Sequence, residues 1–155
     1  LECLSQFPIK PYPLCITIQS SLFSGEHLEL LNIHYPHLNV VRRVPDLDDY
    51  YSGFDFIVFT NRLTTGIQTK YLHAFRTGTL VVAPQSTAAD FGAELIHDKN
   101  ILLYESYAHI YRLLISVYYS PSRFNYIRYN ALRFYQDHHS FCKTLDFTRQ
   151  YFLNL

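Results

Sequence analysis

Residues 66–84 read GIQTKYLHAFRTGTLVVAP. The stretch opens with a helical pattern over 66–77 and stops at Gly78, the residue type favoured just past a helix C-terminus. It then runs directly into the apolar segment TLVVAP (79–84). The helix carries Lys70 and His73 on its polar face and no carboxylate. A helix delivered this abruptly into an apolar strand is the unit from which parallel sheets are built.

The same alternation extends outward from this stretch. PLCITIQS (13–20), HLNVVRRV (37–44), FDFIVFT (54–60) and ILLY (101–104) are the other expected strands. Ser24 is expected to cap a helix over 25–34, with Leu28, Leu31 and Ile33 as its apolar stripe. A brief helical turn is expected from Asp46 through Tyr51, and a short helix around 88–96 leads to the turn HDKN. The remainder reads as helix. Tyr107, Ile110, Leu114 and Val117 mark 106–118; Phe124, Ile127, Ala131 and Phe134 mark 121–137, opened by Ser120-Pro121; Phe141, Leu145 and Phe152 mark 141–153. This order predicts an α/β fold: a single Rossmann-like, doubly wound parallel sheet of about five strands with additional C-terminal helices. Residues 1–13, with prolines at 8, 11 and 13, are expected to be a linker or N-terminal tail, and 14–155 one domain.

Composition narrows the function classes. The chain has 155 residues, of which 48% are apolar and 17% charged, a balance that excludes intrinsic disorder. Thirteen basic residues balance thirteen acidic ones, so no global field gathers nucleic acid. The longest apolar run, IYRLLISVYY (110–119), is broken by Arg112 and falls short of the roughly 20 residues that span a bilayer. Cys3, Cys15 and Cys142 are odd in number and widely spaced, as reduced intracellular thiols are; Cys15 is expected in the core. The chain begins with Leu and contains no Met, so it is expected to be a fragment or a processed product.

In a doubly wound sheet, ligands bind beyond the C-terminal ends of the strands, against helix N-termini. QSSLFSG (19–25) and TNRLTTG (60–66) are the loops at such positions. Thr64, Thr65 and Gly66 combine hydroxyls with close backbone approach, and Arg62 and Lys70 add charge, so a diphosphate is a natural guest. The alternative is that Thr65 only caps the helix and Lys70 is solvated. His73 lies one turn beyond Thr69, on the same face. Neither GxGxxG nor GxxxxGK[ST] is present, which argues against nicotinamide and P-loop chemistry.

The order of elements over residues 14–153 resembles the C-terminal half of GT-B, group 1 glycosyltransferases. GIQTKYLHAFRTGTLVVAP is similar to that family's G-x-x-x-K-x-x-E-A-x-A-x-G-x-P-V-V-A signature at Gly66, Lys70, Ala74, Gly78, Val81, Val82 and Ala83. FDFIVFTNR, HDKNILLYES and SPSRFNYIRYNALRFYQDHHS resemble further family segments, the last at Pro121, Arg123, Asn130, Ala131 and Arg133. The resemblance implies a domain that binds a nucleotide diphosphate sugar for transfer to a glycan or lipid-linked acceptor, with retention at the anomeric carbon. It implies nucleotide-sugar contacts by Thr65, Gly66, Lys70 and His73, no metal cofactor, and an N-terminal acceptor-binding domain or partner chain. A cytoplasmic location, or one peripheral at the inner membrane face, goes with it. The family carries glutamates where this chain has Thr65 and His73, and a glycine-rich loop where it has QSSLFSG. A non-catalytic module acting through protein contacts is therefore the alternative function.

Other clusters read more simply. His34, His37 and the pair His138-His139 lack partners at zinc-ligand spacing. Asp46, Asp48 and Asp49 suit the start of a helix better than a magnesium site. The Arg/Tyr face over 123–135 reads as a solvated or partner-facing helix surface rather than a nucleic-acid platform.

Overall fold

Ser24 starts the first helix by capping it. Its hydroxyl accepts from the His27 N–H and its own N–H donates to His27 Nδ1, both at 3.3 Å. The protein is described by a computed structural model covering residues 15, 17–19, 24–36, 39–60, 69–91 and 94–153. The residues group into two units divided between Asp46 and Leu47. The expected tail over 1–13 lies outside the described residues.

The first unit is a βαβ arrangement of β1 (Thr17–Gln19), α1 (Gly25–His34) and β2 (Asn39–Val41). The strands are parallel, with Thr17 opposite Asn39 and Gln19 opposite Val41. Leu31 is buried as expected, but Ile33 is 72% exposed. Two helical residues subtend about 200°, so Ile33 faces away from Leu31. Cys15 precedes β1 and is exposed, contrary to the core placement expected for it; the Asn39 amide lies 3.5 Å from its Sγ.

The second unit contains α2 (Leu47–Ser52), β3 (Phe56–Val58), α3 (Thr69–Arg76), β4 (Leu80–Pro84), α4 (Thr87–Asp90) and β5 (Leu102–Tyr104). The helices α5 (Tyr107–Tyr119), α6 (Asn125–His138) and α7 (Phe141–Leu153) follow, with a 3₁₀ turn at Pro121–Phe124. The strands pair in parallel in the order β3-β4-β5. All five described strands are thus parallel, in hydrogen-bonded sets of two and three. Every residue of β4 is buried, so both of its faces are covered, as the continuous apolar run LVVAP requires. Val81, Ala83 and Leu103 join a core with Tyr71, Ala74 and Phe75 of α3 and Ala131 and Phe134 of α6.

Aromatic rings supply much of that core. Phe59 meets Tyr71 at 4.2 Å between centroids, and Phe75 packs edge-on against Phe91 and Phe134 at 6.2 and 5.7 Å. Ala131 lets α6 approach, and Asn130 of the same turn donates to the Lys99 carbonyl at 2.9 Å. The expected stripes of α5 and α6 are in place: Ile110, Val117, Phe124, Ile127, Ala131 and Phe134 are buried. On α7, Phe141 and Leu145 are exposed despite their core-like spacing. Amphipathic spacing marks a face that can be buried; it does not provide the surface that buries it.

Gly78 switches the chain from α3 to β4. Its φ of 70° is left-handed, and it lets the Thr79 N–H reach back to the Ala74 carbonyl at 3.1 Å. A Cβ there meets nothing within 4 Å, so the cost of a side chain is conformational alone. Gly78→Ala is expected to destabilise by about 1 kcal/mol in urea denaturation, with an unchanged m-value.

The helix expected over 88–96 is a single turn, Thr87–Asp90. Beyond it, Asn100 organises the backbone through its side chain: it accepts from the Ile96 N–H at 2.8 Å and donates to the Glu94 carbonyl at 2.9 Å. A buried side-chain amide thus supplies partners that a helix would have supplied.

His139, at the end of α6, packs edge-on to Phe91 and tilted against Phe134. Burial, then His138, hold its ring below the ordinary imidazole range, against a smaller upward pull from Glu94. The unfolded chain therefore takes up this proton at a higher pH than the folded chain. Its stability contribution is full above the unfolded value of about 6.5 and is lost as pH falls through the depressed folded one. His139→Asn is expected to flatten the loss of stability as pH falls below the unfolded value of about 6.5, read from urea midpoints.

Candidate functional site

The C-terminal ends of β3, β4 and β5 meet at one edge of the three-stranded sheet. Tyr104, the last residue of β5, donates its hydroxyl proton to the Phe59 carbonyl at 3.0 Å, tying the outer two strand ends together. Gln85 donates its N–H to the Tyr104 carbonyl at 2.8 Å, carrying the pairing one step beyond β4. Above this floor lies an open hollow of about 310 Å³ lined by Pro84, Gln85, Ser86, Tyr104 and Glu105. A larger hollow, about 480 Å³, lies between α6 and α7 among side chains of both charge signs, including Asp137, Lys143 and Asp146. It contains none of the strand ends.

Lys70 lies in the first turn of α3, with its Nζ 5.0 Å from the centre of the Phe59 ring and 5.9 Å from that of Tyr71. Phe59 follows β3 directly, so the ammonium stands at the strand-end rim. Burial pushes its pKa down, because a half-buried cation lacks the water that would stabilise it. Among the described residues no carboxylate pairs with Lys70. The two rings offer their negative faces as partial compensation. A cation kept partly desolvated and without an anion is suited to receive one.

His73 occupies the next turn of α3. Its Nδ1 is 2.6 Å from Asp48 Oδ1 in the first turn of α2, and Asp48 also pairs with Arg76. The sequence reading of the aspartates as the start of a helix holds for Asp48 and Asp49. The additional pairing of Asp48 with α3 was not foreseen; 25 residues separate the partners, and no local spacing signals such a contact. Thr65 and Gly66 lie outside the described residues, as do Arg62 and Thr64. Lys70 and His73, three residues apart on α3, are neighbours on its surface.

On α6, Arg128 is engaged within the protein, donating to the Asp55 carbonyl at 2.6 Å and to the Asn125 side chain at 3.3 Å. Arg133 pairs with Asp137 at 3.6 Å. Tyr126 and Tyr129 remain exposed on the same helix. Among the described residues, no group of three or more His, Cys, Asp or Glu is gathered as a metal site, and no helix is long and apolar enough to cross a membrane.

No protein-family model and no curated protein sequence matches the chain. Solved structures do. The structure of Anabaena Alr3699/HepE in complex with UDP-glucose aligns with a TM-score of 0.79 at 13% identity, over 99% of this chain and 44% of that one. The same protein in complex with UDP aligns with a TM-score of 0.79 at 14% identity, over the same shares. The C-terminal domain of a group 1 family glycosyl transferase, LpcC, from Francisella tularensis aligns with a TM-score of 0.61 at 15% identity, over 75% of this chain and 62% of that one. The chain therefore spans less than two thirds of each of these structures. The strand-helix order of the sequence and the match of coordinates agree: the chain has the fold of the C-terminal domain of a GT-B, group 1 glycosyltransferase.

Proposed function

We propose that this chain binds the donor in a glycosyltransferase of the GT-B kind, holding a nucleotide diphosphate sugar for hexosyl transfer to a glycan or lipid-linked acceptor. The observation that carries the reading is Lys70: a half-buried ammonium at the strand-end rim, with no carboxylate partner among the described residues. A diphosphate there regains for the cation the counter-charge that burial denies it, and the first-turn amides of α3 add donors. In this proposal Thr65 and Gly66 bring hydroxyl and backbone donors to the same anion, and His73 contacts the donor one turn further on. Because Lys70 and the hydroxyl and backbone donors offset the charge of the departing diphosphate, no metal is assigned to the reaction. The fold match adds that UDP-glucose and UDP are held by a protein of this architecture. Catalysis is assigned to a longer assembly, with an N-terminal acceptor-binding domain or partner chain, in the cytoplasm or at the inner membrane face.

Isothermal titration of the chain with UDP, GDP and ADP tests the reading. One nucleotide is expected to bind with a Kd of millimolar or tighter, on the order of −4 kcal/mol or better. A flat response to all three contradicts donor binding. It favours the second reading, a non-catalytic module acting through protein contacts, for which exposed Tyr119, Tyr126 and Tyr129 are suitable surface.

A further inference from the structure

We propose that Asp48 is a positioning residue that fixes the tautomer of His73, so that Nε2 is presented as an acceptor to a hydroxyl of the bound donor. The inference rests on the donor-binding reading and adds a residue to it from a different helix. Asp48 accepts on both oxygens, from His73 Nδ1 at 2.6 Å and from Arg76. An ionised carboxylate can only accept, so the proton in the first of these bonds belongs to His73 Nδ1. Arg76 Nη2 also lies 3.5 Å from Nδ1; both are donors, brought side by side by their common acceptor. Among the described residues Nε2 has no hydrogen-bond partner, and the imidazole is one third exposed.

In the neutral ring, a proton held on Nδ1 leaves a lone pair on Nε2, and a carboxylate behind Nδ1–H makes that lone pair a stronger acceptor. The atom offered to a ligand thus suits a hydroxyl and does not suit a phosphate oxygen, which needs a donor. Lys70 and His73 stand three residues apart on α3, neighbours on the helix surface with Cβ atoms about 5–6 Å apart. A nucleotide sugar with its diphosphate on Lys70 carries hydroxyls on both sides of that diphosphate, on its ribose and on its sugar. The Asp48 carboxylate, 25 positions away in sequence, thereby acts at the site through a ring.

Long-range ¹H–¹⁵N correlation at about pH 8, above the ordinary imidazole range, reads the tautomer directly. His73 is expected as Nδ1–H in the wild-type chain and as the common Nε2–H form in Asp48→Ala. Titrations with UDP, 2′,3′-dideoxy-UDP and UDP-glucose read the consequence. If the hydroxyl is on the ribose, UDP binds about tenfold tighter than its dideoxy form; if it is on the sugar, UDP-glucose binds about tenfold tighter than UDP. The preference is expected to vanish in Asp48→Ala and His73→Ala, and to return when His73→Glu is added to Asp48→Ala. A wild-type ring in the Nε2–H form, or a hydroxyl preference undiminished in Asp48→Ala, overturns the proposal while leaving donor binding intact. Absence of any nucleotide binding by the wild-type chain overturns the donor reading itself, and Asp48–His73–Arg76 is then an ion-pair cluster joining α2 to α3.

Discussion

Phe75→Ala is expected to destabilise the second unit by about 3–5 kcal/mol, the range for truncating a fully buried aromatic ring. Phe75 is 0% exposed and packs edge-on against Phe91 and Phe134, the rings through which α3 and α6 are joined. Removing it leaves a cavity against the rings of Phe91 and Phe134 within a close-packed core, so little collapse is available. Urea denaturation followed by circular dichroism measures the loss. Tyr129→Ala, at an exposed position of α6, is the matched control and is expected to shift stability by less than about 0.5 kcal/mol. A Phe75 variant as stable as this control would contradict the packing described for α3.

Lys70→Ala is expected to weaken nucleotide diphosphate binding by about 10- to 100-fold, the range for one charge-assisted hydrogen bond, with little change in stability. The direction of its pKa shift adds a pH signature. Burial lowers the pKa of the free site below the ordinary lysine value of 10.5, and a bound diphosphate raises it again. Binding therefore takes up a proton where the free lysine is neutral, and affinity declines as pH rises through the depressed range. Lys70→Ala removes that slope. Calorimetry in two buffers of different ionisation enthalpy measures the proton directly.

The helix-strand switch at Gly78 was legible because two local rules agree there: a left-handed residue ends the helix, and β-branched apolar residues follow it. The stripes of α5 and α6 were legible for the same reason, since 3.6-residue periodicity is a local property. Where burial depends on what a surface meets, spacing was insufficient. Ile33, Phe141 and Leu145 have apolar side chains at helical positions and are exposed. Around 88–96 the described α-helix is the single turn Thr87–Asp90, and beyond it the buried Asn100 side chain serves the Glu94 carbonyl and the Ile96 N–H, a long-reach role that periodicity does not encode. Lys70 and His73 stand out in the sequence by their place on one helix face. The pairing of Asp48 with His73 is not legible there, because it joins helices far apart in sequence and leaves no trace in local composition.

The most direct test of the strand-end site is ¹H–¹⁵N chemical-shift mapping of the chain titrated with UDP-glucose. The expected result is a set of saturable shifts at Phe59, Gln85, Ser86 and Glu105, just beyond the ends of β3, β4 and β5, and at Lys70 and His73 of α3. Shifts confined to the α6–α7 hollow around Asp137 and Lys143, or none at millimolar ligand, would contradict it.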